Sequence, residues 1–100
     1  MVGPMHTREV LHDKLTKALA PLELEVGDDS HLHRGHAGAG GGGHYSVRIV
    51  SAAFEGKSLV ARHRLVYEVL AEEMAGPVHA LALRTLTAAE AEAERAGARA

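Results

Sequence analysis

One hundred residues give room for one domain with a modest core and a narrow stability margin. Apolar residues make up 46% of the chain, which excludes a disordered polymer, and a net charge of −2 excludes a wholesale polyanion binder. Cysteine is absent, so disulfides, thiol catalysis and thiolate metal ligands are excluded within the chain.

The lack of cysteine fits a reducing compartment. No run approaches the ~18–20 apolar residues of a membrane span, and the N-terminus lacks a signal-peptide core. The expectation is a soluble cytoplasmic protein without a membrane role. Its unusual feature is eight histidines, of which His31, His33, His36 and His44 lie in or beside one Gly-rich stretch.

Residues 1–6 are expected to be a flexible N-terminus. Residues 7–19 predict a helix, because Leu11, Leu15, Ala18 and Leu19 recur at spacings of three and four. Thr7 is its expected N-cap, and Pro21 stops it. Residues 22–26 alternate strictly and predict a half-buried strand, followed by turn chemistry in Gly27-Asp28-Asp29-Ser30. Residues 31–43 hold six of the eleven glycines and predict a mobile loop. Residues 44–51 alternate again, with Tyr45, Val47 and Ile49 on one face.

A turn over 52–57 leads to the main helix, 58–74, capped by Ser58 and ended by Gly76-Pro77. Its expected apolar stripe is Leu59, Val60, His63, Val66, Tyr67, Leu70 and Met74, with His63 a structural histidine. Residues 78–86 predict a third strand with Leu81, Leu83 and Thr85 on one face, and period two adds His79 to it. Thr87-Ala88-Ala89-Glu90 matches a capping box, and the tail over 91–100 is expected to fray outside the core.

The order αββαβ predicts an α+β sandwich: a three-stranded mixed sheet with helices packed on it. The first two strands should be antiparallel, and the second and third parallel through a helical crossover.

The main helix carries Lys57, Arg62 and Arg64 at its start and Glu68, Glu72 and Glu73 toward its end, opposing the macrodipole. The cluster is either a solvated face or a site for an anion such as DNA phosphate. No nucleophile–base–orienter set is visible, and Gly40 to Gly43 lacks the Lys-Ser/Thr of a phosphate loop, so no enzymatic activity is expected.

Several stretches resemble the BolA family: Gly35-His36-Ala37-Gly38, His44 to Ser51, Phe54-Glu55-Gly56-Lys57-Ser58, Arg62-His63-Arg64-Leu65-Val66-Tyr67 and Val78-His79-Ala80-Leu81. The resemblance covers roughly residues 8–90, so the BolA-like domain is taken as 7–90. The loop departs from the family pattern in being richer in glycine and histidine. The resemblance implies a fold similar to class II KH domains and binding to a monothiol glutaredoxin, with or without a shared [2Fe–2S] cluster. It also implies a bacterial role in transcription and cell shape. The expected state is a monomer alone and a heterodimer with its partner.

The family's C-terminal ligand histidine maps onto His79. Its second ligand lies in the loop between the first two strands, where His36 is the first choice and His44 the second. Neutral imidazole suits iron, and histidine can replace thiolate in a [2Fe–2S] centre. A glutaredoxin cysteine and glutathione would supply the thiolates this chain lacks. The alternative function is a DNA-binding transcriptional regulator acting through Lys57, Arg62 and Arg64.

Overall fold

The computed structural model describes residues 6–29 and 43–99. Helix α1 (Thr7–Leu19) leads into strand β1 (Glu23–Asp28), which is followed by β2 (Gly43–Val50) and a 3-10 turn at Ala52–Phe54. Then come α2 (Leu59–Val69), the short α3 (Ala71–Met74), β3 (Val78–Leu86) and α4 (Ala88–Arg99). The sheet order is β1-β2-β3, antiparallel for the first pair and parallel for the second. This is the mixed sheet that the element order predicts. The loop expected to be mobile lies outside the described residues except for Gly43, which starts β2.

The core forms on one sheet face. Leu11, Leu15 and Leu19 of α1, Val66 and Leu70 of the main helical segment, and Phe54 pack with Tyr45, Val47 and Ile49 of β2. The positions of α1 follow the i, i+4, i+8 spacing of a single helical stripe. Thr7 is the first helical residue rather than the cap; His6 holds that place without a side-chain bond. The helix ends where Ala20 turns left-handed (φ 43°) and donates its N–H to the Thr16 carbonyl.

β1 is two residues longer than the turn chemistry of Gly27-Asp28 implies, because both pair with β2, opposite Ser46 and Tyr45. Gly27 serves close approach: a Cβ there would lie 2.8 Å from Ser46 Oγ. Ser51 ties the end of β2 to the end of α1. Its fully buried hydroxyl donates to the Leu19 carbonyl at 2.6 Å and accepts from the Ala53 N–H at 3.1 Å. Ser51→Ala strips the Leu19 carbonyl of a donor and should cost about 1–3 kcal/mol. Thermal unfolding should show a clear drop in Tm; an unchanged Tm would mean the bond contributes nothing.

Ser58 caps α2 as expected, accepting from the Ala61 N–H. The helix breaks at Leu70, so the single helix expected over 58–74 is two. The expected stripe is also rotated. Leu59 and Val60 are each 62% exposed and Tyr67 40%, while Arg62, Val66, Leu70 and Glu73 are buried. Two charged side chains thus occupy the inward face, each with an opposite charge in reach: Arg62 with Glu90, and Glu73 with Lys14 at 2.8 Å.

The C-terminal tail, expected to lie outside the core, is helical as far as Arg99. It forms α4 on the opposite sheet face, where Ala91 packs with Val50 and Leu86. With little apolar contact of its own, α4 is held by ion pairs. Glu94 reaches Arg48 and Arg84, and Arg95 reaches Glu23, which also binds Arg48 at 2.8 Å.

Candidate metal centre

β2 and β3 run parallel, so their first residues lie side by side. Gly43 pairs with Val78, but His44 pairs with Ala80, leaving His79 as an extra residue in β3. Such a bulge turns a side chain away from the regular alternation. Its effect is visible in the core, where Val78 is buried and Leu81, three residues later, packs against the same cluster. Period two therefore fails here, and His79 is exposed rather than sharing the face of Leu81.

The bulge brings His79 beside His44, with ring centroids 5.3 Å apart and planes tilted by 54°. His44 lies opposite the core face, since Tyr45, Val47 and Ile49 alternate inward. Main-chain bonds fix the strand ends around the pair: the Asp29 N–H donates to the His44 carbonyl at 2.7 Å and the Gly43 N–H to the Pro77 carbonyl at 2.8 Å.

Among the described residues, no group of three or more His, Cys, Asp or Glu side chains could hold a metal ion alone. The pair therefore offers two nitrogen donors and no thiolate. That donor set fits half of the four ligands a [2Fe–2S] cluster needs, in the pattern where two histidines replace two cysteines on one iron. Among the described residues it supplies no more than that half, so the other ligands of such a cluster would have to come from elsewhere. His36, with His31 and His33, lies outside the described residues.

The basic start of α2 is less basic than the sequence implies. Lys57 and Arg64 are exposed, but Arg62 is buried. Its guanidinium meets both Glu90 carboxylate oxygens at 2.6 and 3.2 Å, the Thr85 carbonyl at 3.2 Å and the Lys57 carbonyl at 3.0 Å. An anion would have to displace Glu90 to reach it, so Arg62 is a structural clamp. What the sequence pattern missed is its partner, because the capping box accounted for Glu90 by itself. Both capping bonds do form: the Thr87 N–H donates to Glu90 at 2.8 Å, and the Glu90 N–H to Thr87 Oγ1 at 3.2 Å.

Arg62, and then the Thr87 N–H, hold the Glu90 carboxyl down at about 2. This value lies below that of an unpaired glutamate, so the pair's contribution to stability is present above about pH 4.5 and is lost as pH falls toward 2. Denaturant unfolding of the wild type and Glu90→Gln should therefore differ at pH 6 and converge as pH approaches 2. A difference independent of pH would refute the linkage.

Fold and surface together define a class: a small α+β domain with an αββαβ core and an imidazole pair where its two parallel strands begin. Residues 15–90 match the family model described as BolA-like protein. The chain is 44% identical over 88 residues to the DNA-binding transcriptional regulator BolA of Escherichia coli (strain K12), covering 88% of this chain and 82% of that one. It is 49% identical over 86 residues to SufE-like protein 1, chloroplastic/mitochondrial, of Arabidopsis thaliana, covering 80% of this chain and 23% of that one. The solved BolA domain of SufE1 from Arabidopsis thaliana superposes with a TM-score of 0.77 at 45% identity, over 88% of this chain and 99% of that one. The chain belongs to the BolA-like protein family. It spans 23% to 61% of the length of the first curated relatives it matches. Among the described residues, no helix is long and apolar enough to cross a membrane.

Proposed function

We propose that this protein is an adaptor that binds a monothiol glutaredoxin and contributes His79 and His44 as nitrogen ligands to a shared [2Fe–2S] cluster. The observation that carries this reading is the pair of exposed His79 and half-buried His44, 5.3 Å apart, in a chain without cysteine. When bound, the cluster supplies an iron–sulfur centre for delivery or sensing. This chain's part is to hold two imidazoles side by side at the start of its parallel strands and leave the remaining ligand positions to its partner. Mixing the purified chain with a cluster-loaded monothiol glutaredoxin and recording visible circular dichroism tests it. A new spectrum on mixing is expected, and the unaltered spectrum of the glutaredoxin alone would reject it.

A second reading rests on the Escherichia coli relative, described as a DNA-binding transcriptional regulator. DNA binding by this chain would use exposed Lys57 and Arg64, without Arg62, which Glu90 neutralises. Two surface cations give only a shallow dependence on salt.

A further inference from the structure

Among the described residues, β3 closes one side of the sheet and pairs with β2 alone. The Ser51 N–H donates to the Leu86 carbonyl at 2.9 Å, so the main-chain groups of Leu86 face inward to the sheet. Strand alternation then turns those of Leu81, Leu83 and Thr85 outward. The Arg62 guanidinium does reach the Thr85 carbonyl from that side. A groove of about 410 Å³ follows this edge between the start of α2 and α4. Leu83 and Thr85 of one sheet face and Arg84 and Leu86 of the other all line it, as happens only where the two faces meet at an edge.

Two features say what would fill the groove. Leu83 and Leu81 have no outer main-chain partner among the described residues, and an open edge is a template for another strand. The charges are already balanced, Arg62 by Glu90 and Arg84 by Glu94, so the lining complements an uncharged main chain rather than a polyanion. The recess also disfavours a second copy, whose own β3 edge would sit behind the same helical walls.

We propose that the β3 edge accepts an extended peptide segment of a partner protein by strand addition. Its main chain bonds to Leu81 and Leu83, its side chains rest on Leu59 and Ala93, and Arg62 ends the ladder at Thr85. Main-chain bonding carries such recognition, so a generic strand-forming sequence serves as probe.

The test titrates the full 15N-labelled chain with the soluble heptapeptide acetyl-Lys-Thr-Val-Thr-Val-Thr-Lys-amide and follows amide hydrogen exchange. At saturation, exchange at Leu83 should slow by about tenfold or more, as one new hydrogen bond allows. The inward amides of Ala82 and Arg84 should not change. Ala93→Trp, at an exposed position on the groove wall, should abolish the protection without altering the fold. Unchanged exchange at Leu83 would overturn the proposal. So would protection that grows with protein concentration alone, which means a second copy, or protection produced by an oligothymidine octamer and not by the peptide.

Discussion

Replacing His79 by alanine should abolish the mixed-ligand spectrum of the complex with a cluster-loaded monothiol glutaredoxin, while the free variant keeps its fold. The first half follows from donor arithmetic. The chain has no cysteine, and without His79 the described pair keeps one nitrogen of its two. Nitrogen ligation raises the potential of a [2Fe–2S] centre above that of an all-thiolate one, so the variant complex should also be harder to reduce. The second half follows from exposure: a ring outside the core at a strand start contributes little packing. His44→Ala should lose the same signature, because the two rings act together. Visible circular dichroism of both variants, with His36→Ala in parallel, separates the alternatives. Loss on His36→Ala but not on His44→Ala would move the second ligand into the loop. An unaltered spectrum for His79→Ala would end the assignment altogether. Association without the cluster would survive, since it depends on surface complementarity rather than on iron.

Arg62→Ala should cost about 2–4 kcal/mol of stability, whereas Arg64→Ala, two residues away, should fall within about 0.5 kcal/mol of the wild type. The two look equivalent in the sequence, yet the Arg62 side chain is 8% exposed and binds a carboxylate and two main-chain carbonyls. Removing it leaves the Thr85 carbonyl without that donor and releases the first turn of α4 from α2. A loss of this size is a large fraction of the ~5–15 kcal/mol that stabilises a domain. Urea unfolding with both variants measures the difference directly. Equal midpoints for the two would show that the clamp carries no weight.

Periodicity made the element order and the mixed sheet legible, because Leu11, Leu15 and Leu19 recur at helical spacing and Tyr45, Val47 and Ile49 at strand spacing. It failed where a charged residue is buried. A hydrophobic stripe counts apolar side chains, so Leu59, Val60 and Tyr67 outvoted Arg62 and Glu73. The deciding fact was a pair of partners, Glu90 and Lys14, far away in the chain. The fate of α4 was hidden for the same reason. A helix held by Glu90, Glu94 and Arg95 shows no apolar stripe, since its adhesion is ionic. His79 became a candidate through family resemblance. Its closeness to His44 depends on strand pairing 35 residues apart in the chain, and on a bulge that local pattern does not encode.

That one extra residue in β3 suggests a portable design element. A parallel strand pair with perfect alternation places laterally adjacent side chains in a fixed register, and a chelating pair must accept whatever separation the register allows. A single inserted position before the first core leucine frees one side chain from that constraint while Val78 stays seated in the interior. A designer could bring two imidazoles together on other parallel sheets in the same way, by lengthening the receiving strand by one residue at its mouth and leaving the packed layer beneath untouched.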